Sequence, residues 1–304
     1  MKSTYPEFGG SRIKTRNLFQ LTVVLLLTAF CAGVATCLGQ GSLTPPGPPG
    51  PTMLTLSQLQ ARTPVDAVHT PGNANGEFAI TNPGSYYLTT NIVGVSGKDG
   101  IDIYTNNVTL DLNGFSLWGV ASGGYYQGVQ VFPGCTNVTV QNGAIGGWSE
   151  HGIYSQGNNV TLEHLSVSEN SYYGIVLVNV STVRYCMTSA NRYIGIAVLA
   201  NGCLVADNTC SGDDWGNSSS DGGIIVEGNY NRIENNHVTG LGGGYGIGVE
   251  TFAQCTNNII VRNSVEGSGT SDYSFNSLQA VGPVITNTVS GIITNSNPWA
   301  NFGF

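Results

Sequence analysis

A glycine followed by an aliphatic residue and a short alternating run recurs seven times in this chain: Gly100-Ile101, Gly128-Val129, Gly152-Ile153, Gly174-Ile175, Gly195-Ile196, Gly223-Ile224 and Gly246-Ile247. Successive glycines stand 28, 24, 22, 21, 28 and 23 residues apart. A period of this size with two or three short strands per repeat predicts a β-solenoid, in which each turn buries its apolar side chains against the turns on either side. Composition agrees. With 43 glycines in 304 residues and only 9% charged side chains, the chain is rich in turn formers and poor in Glu, Lys and Arg, which excludes a helical bundle. The 40% hydrophobic content is enough for a continuous core and excludes a disordered chain.

Each repeat continues past a polar corner into a second strand, as in Asn106-Asn107-Val108-Thr109-Leu110, Thr136-Asn137-Val138-Thr139-Val140, Asn158-Asn159-Val160-Thr161-Leu162, Asn231-Arg232-Ile233 and Asn257-Asn258-Ile259. Asparagine tolerates the left-handed backbone of such corners and can bond its counterpart one turn on, so Asn113, Asn142, Asn208, Asn235 and Asn263 are expected to extend an asparagine ladder. Over about Pro83 to Asn276 these repeats resemble the right-handed parallel β-helix proteins of the pectin lyase-like superfamily, of the exported bacterial type. The resemblance implies an all-β, single-stranded right-handed parallel β-helix of about seven to eight turns.

The expected organisation is a signal peptide or signal anchor over 1–41, a Pro-rich linker and short helix over 42–64, and an N-terminal cap and first turn over 65–99. The repeats follow over 100–276, and a C-terminal cap over 277–304. Arg12, Lys14 and Arg16 precede the apolar run Leu18 to Ala35, which reads as an export signal and places the protein in a secreted, surface or periplasmic setting. The N-terminal segment is the one expected contact with a membrane. Beyond residue 41 there are 6 Lys+Arg and 17 Asp+Glu, a balance of about −11, and no basic stripe, so nucleic acid is not an expected partner. Cys135, Cys186, Cys203, Cys210 and Cys255 form no CxxC and no regular framework; they read as buried small hydrophobes, with one bridge among Cys186, Cys203 and Cys210 as the alternative.

Alternation within the first strand of each turn sends Ile101, Ile103, Ile153, Ile175, Ile196, Ile224 and Ile247 inward and leaves two outward rows. One reads Asp102, Gln130, Tyr154, Val176, Ala197, Ile225, Gly248; the other Tyr104, Phe132, Gln156, Val178, Leu199, Glu227, Glu250. In the superfamily this face generally carries the substrate. Glu227 and Glu250 fall at one position of consecutive turns, so their carboxylates repel; one becomes a general acid beside a base, or a cation such as Ca²⁺ binds between them, unless both spread into solvent. Gly212-Asp213-Asp214, in an insertion, is similar to the paired-Asp motif of polysaccharide hydrolases of this fold, which implies catalytic roles for Asp213 and Asp214, although Cys210 stands where that motif needs an acid. Tyr125, Tyr126, Trp148, Tyr172, Tyr173, Tyr193, Trp215, Tyr245 and Tyr273 gather before the strand and suggest a stacking wall for sugars or corner packing. Trp215, Tyr245, Tyr173 and His151, with Glu150 beside it, are the expected substrate contacts. Two functions fit: a lyase or hydrolase acting on polysaccharide or surface glycan, or a non-catalytic surface, adhesin or tail-fibre-like β-helix, monomeric or trimeric through outward Phe132, Val176, Val178, Leu199 and Ile225.

Overall fold

A computed structural model describes residues 62–120, 123–249, 255–286 and 295–304. The signal segment, all but the last three residues of the 42–64 linker and helix segment, and Glu250 lie outside the described residues. Those described form β structure without a helix, wound as a parallel coil with three strands per turn. The first strands stack into a nine-stranded sheet whose central seven members begin at or beside the repeat glycines. Gly76–Ile80 and Ser271–Ser274 extend it at either end without the glycine-aliphatic marker, so the coil has about nine turns where the repeat count gave seven to eight. Second and third strands share an 18-stranded sheet, because Thr136–Gly146 and Asn158–Ser168 each run round the corner without a break. Ala280–Val281, Val284–Thr286 and Asn301–Gly303 add the last parallel rungs of this sheet.

The repeat glycine has a steric cause. A Cβ on Gly100, Gly128, Gly152, Gly174, Gly195 or Gly223 would lie 2.5–2.8 Å from the carbonyl oxygen of the glycine one turn further along. That oxygen accepts the N–H of the residue after the earlier glycine, as in Ile101 N–H to Gly128 O at 3.0 Å, so it cannot retreat without breaking the rung. The inward aliphatics that follow, from Ile101 to Ile247, are fully buried and form one continuous core with Val108, Leu110, Leu162 and Val205 from the second strands. The cysteines belong to this core. Cys186, Cys203 and Cys210 stand as separate thiols with no bridge among them, and burial pushes the Cys186 thiol up to about 12 and Cys203 to about 11.

The corners explain the asparagines, with one correction to the expected ladder. Asn113, Asn142 and Asn235 occupy a positive-φ position shared with His164, Tyr185, Asp207 and Arg262, at φ of 53–60°. Asn208 and Asn263 occupy the next position, which points inward. There the side-chain amides form a buried ladder running Asn208, Asn236, Asn263, Asn301, each giving its side-chain and main-chain N–H to the following Oδ1 at 2.9–3.1 Å. A parallel ladder at the corner before the second strand joins Asn231, Asn258 and Gln279.

The glycine column sets a test. Gly174→Ala places a methyl 2.6 Å from Gly195 O and 2.8 Å from Asn191 Nδ2, and should cost roughly 1–3 kcal/mol by urea unfolding. Gly114→Ala, whose Cβ meets nothing within 4 Å but sits at φ 80°, separates backbone strain from this collision.

Candidate functional site

The outer surface of the nine-stranded sheet carries three side-chain columns, not two. Cα register aligns Asp102, Gln130, Tyr154, Val176, Ala197, Ile225 and Gly248 in one, as alternation requires. Tyr104, Phe132, Gln156, Val178, Leu199 and Glu227 make the second, each N–H bonded to the turn before. The third holds the residue preceding each repeat glycine: Asp99, Gln127, His151, Tyr173, Ile194, Gly222 and Tyr245. It faces outward because the glycine after it is turned inward. The missing Cβ of Gly100 and Gly128 would touch buried Trp148, and the aliphatic residue after each glycine also points in, so alternation skips a beat there.

This arrangement divides the surface. Mid-sheet, Val176, Ala197 and Ile225 are covered by Ile194, Tyr173, Tyr245 and Tyr154, forming a second apolar cluster outside the coil. Of the expected aliphatic patch, Val176 and Ile225 are thereby sealed by their own neighbours, Phe132 and Val178 are half-buried and Leu199 stays exposed. His151 lies at the border, 7% exposed, with Tyr154, Tyr172 and Tyr173 ring centroids 5.3–5.4 Å away. Burial lowers its pKa to about 4, so it is neutral near pH 7; its Nε2 is 3.8 Å from Glu150 and its buried Nδ1 has no partner.

Toward the N-terminal end the columns turn polar. Asp99 and Asp102 project side by side from the strand Asp99–Ile103, both buried. Asp99 Oδ1 accepts the Gln127 N–H at 2.7 Å, and Asp102 Oδ2 accepts the Tyr104 hydroxyl at 2.8 Å. Gly76 makes room for the pair, since a Cβ there would lie 2.5 Å from Asp102 Oδ2. Burial first, then the neighbouring Asp102 carboxylate and Glu150, push the Asp99 carboxyl up to about 7; burial also raises Asp102 and Glu150. Among the described residues, Asp102 Oδ1 and Gln127 Oε1, both buried here, find no donor outside the Asp99–Asp102 carboxyl pair, in which Asp99 hydrogen-bonds Asp102. Beside Asp99 and Gln127 opens a cleft of roughly 400 Å³ lined by these two with Gln130, Tyr125, Tyr126 and Phe132 among others, while Asp102 is fully buried outside its lining. The Tyr104 and Phe132 rings stack across one turn with centroids 4.2 Å apart. Carboxyls, amides and aromatic faces converge on one recess, which suits a polyhydroxylated ligand: donors for the acceptors, C–H faces for the rings.

The residues expected from sequence are placed elsewhere. Glu227 is exposed on the second column. Asp213 is fully buried inside the coil, where it ends a third ladder: Asn170 donates to Asn191, whose main-chain and side-chain N–H bond Asp213 Oδ1 at 3.0 and 2.8 Å, and Thr188 Oγ1 donates to Oδ2 at 2.7 Å. Burial raises its carboxyl to about 6. Asp214, also buried, staples its loop by accepting Ser218 N–H and Gly243 N–H. Trp215 is 55% exposed and lies 5.5 Å from the Arg192 guanidinium, which also sits over Tyr193. Tyr173 and Tyr245 cover the apolar row. Trp148 and Tyr273 leave the expected aromatic wall: the first begins the Asn170 ladder inside the core, and the second aligns with inward Ile247 and donates its hydroxyl to Asn263 O and Phe302 O. Among the described residues no group of three His, Cys, Asp or Glu side chains is gathered as a metal site. Asp102 already stood in an outward row, but Asp99 and Gln127 were missed because strict period-two reading points them inward; their signal was the residue before each repeat glycine, acidic or amide in the first two repeats only.

Comparison with known proteins gives a family match, described as a right handed beta helix region, over residues 151–302, half of the chain. No curated protein matches. Among solved structures the Dettilon tailspike protein (gp208) aligns at 13% identity and a TM-score of 0.39, over 76% of this chain and 60% of the tailspike chain.

Two charge predictions follow from the burial. Folded Asp99 retains a proton between about pH 4 and 7 that the unfolded chain releases, so its contribution to stability is full below pH 4 and lost as pH rises through 7. The stability difference between Asp99→Asn and the parent, by urea unfolding at pH 4 to 8, should therefore rise in favour of the variant by at most roughly 4 kcal/mol. His151, which acts in the opposite sense between pH 6.5 and 4, cancels in that difference. A flat difference profile would remove the retained proton. Asp213→Asn should preserve the fold and gain stability above pH 6, whereas Asp213→Ala orphans Asn191 and Thr188 and should cost roughly 3 kcal/mol.

Proposed function

The chain belongs to the right-handed β-helix family, and on that scaffold we propose that the outer face of its nine-stranded sheet binds polysaccharide, with recognition centred on the Asp99–Asp102 cleft. The observation that carries this reading is Gln127 Oε1, a buried acceptor without a donor among the described residues, on a residue that lines a cleft together with Asp99 and three aromatic side chains. An unpaired buried acceptor costs about 1–3 kcal/mol, and a ligand dense in hydroxyls relieves that cost. Nine stacked strands make a surface about 40 Å long, which suits a polymer more than a small metabolite. The Arg-flanked apolar run Leu18 to Ala35 supports a secreted or surface-exposed protein meeting glycan outside the cell.

Binding is the reading favoured over bond cleavage. Asp213 and Asp214 are committed to hydrogen bonds within the coil, and Asp99 and Asp102 are direct neighbours rather than a pair set apart across a scissile bond. Assembly through Val176 and Ile225 is disfavoured because Tyr173, Ile194 and Tyr245 already cover them. Affinity electrophoresis of the full chain through gels containing a panel of neutral, acidic and amino polysaccharides is the test. At least one polymer should retard it, and Gln127→Ala with Phe132→Ala should weaken that retardation about ten-fold. Migration unchanged in every gel would overturn the reading.

A further inference from the structure

The chemistry of the cleft narrows the ligand further, on the premise that the face binds glycan. No basic residue lines the recess. Lys98, next in sequence to Asp99, turns its ammonium to Asn73 O at 2.6 Å, and among the described residues neither Asp99 nor Asp102 forms an ion pair. The titratable groups nearby from the adjoining turns are Glu77, whose carboxylate accepts the Val95 N–H, Glu150, Tyr104 and neutral His151. The neighbourhood therefore presents four carboxyls and one committed lysine. Gln127, which lines the cleft and is 8% exposed, adds a buried side-chain oxygen that has no partner among the described residues. Aromatic faces of Tyr125, Tyr126 and Phe132 close the remaining sides.

We infer that this cleft selects a cationic amino sugar, its ammonium held by Asp99 and Gln127 Oε1 with Asp102 behind them and its ring packed on the aromatic wall. An ammonium brings three donors and a positive charge, satisfies the orphaned amide oxygen, neutralises a carboxyl pair that the protein leaves without a counter-ion, and is attracted by the ring faces. A uronate or sulfated sugar would bring a like charge against the pair and meet no cation. A neutral N-acetyl sugar would fill the same volume without neutralising the pair. Because Asp99 retains a proton up to about pH 7, the entering ammonium displaces it, and binding releases a proton to buffer.

The experiment is calorimetric titration of the full chain at pH 6 with four probes: a β-1,4-linked glucosamine hexamer, its fully N-acetylated counterpart, a galacturonate hexamer and hexalysine. The glucosamine hexamer should bind about ten-fold or more tightly than the N-acetylated form, and the galacturonate not at all. Repeating the titration in two buffers of different ionisation enthalpy should show a proton released. Asp99→Asn, which removes a repelling carboxyl and so retains the fold, should abolish both the preference and the proton release. Equal or tighter binding of the N-acetylated hexamer, a preference that survives Asp99→Asn, or hexalysine binding as well as the sugar would each overturn the inference. Retardation by neutral polysaccharides in the gels without any amine preference here would defeat this inference alone, whereas silence toward every polysaccharide would defeat the glycan reading beneath it.

Discussion

Everything in this coil depends on how closely one turn approaches the next at the glycine column. From Gly100 to Gly223 the backbone carbonyl of one turn occupies the space where the previous turn's Cβ would be, and it is held there by a rung hydrogen bond. That approach fixes the start of each first strand, and with it which side chains stack on which. The inward aliphatics then form one continuous core along the coil, because each sits over its counterpart at parallel-strand spacing. The same column turns the preceding residue outward and creates the third row of the outer face.

The corners answer a different need. Where the chain bends, main-chain N–H groups point inward with no strand partner, and in a buried position each must find one. Three ladders do this, through Asn208 to Asn301, through Asn231 and Asn258, and through Asn170 and Asn191 to Asp213. Asp213 shows why a motif is a weak guide on such a scaffold. A carboxylate at the end of an amide ladder accepts what the next asparagine would have accepted, so the acidic doublet is explained by hydrogen-bond supply inside the coil.

The outer face inverts the usual expectation for a surface. Its middle is apolar yet sealed by its own tyrosines and Ile194, while its N-terminal end buries two carboxyls and an amide that the protein satisfies only in part. Buried polar atoms without a partner among the described residues also occur at Ser155, Ser181 and Ser268, but Gln127 is the one of these residues that lines the cleft with Asp99, which is why the proposed recognition is centred there.

The sequence by itself determined the β-solenoid, the inward aliphatic rows, the left-handed corners at Asn107, Asn137 and Asn159 and the register of the outward rows, because each is a local property repeated with a period: a glycine where no Cβ fits, a branched residue every second position, an asparagine where φ is positive. The turn count fell slightly short, at seven to eight against about nine, because Gly76–Ile80 and Ser271–Ser274 lack the glycine-aliphatic marker although both lie inside the expected first turn and repeat region. Only the tertiary structure decided which polar residues were free to act. Whether Asp213 or Asp99 faces a ligand turns on which neighbours stack above and below it, and on a break in alternation at the glycine that no single strand reveals. Stacking of turns far apart in sequence spends Asp213 on Asn191 and Thr188 and leaves Asp99 and Gln127 lining an open cleft, the latter with an unmatched oxygen among the described residues.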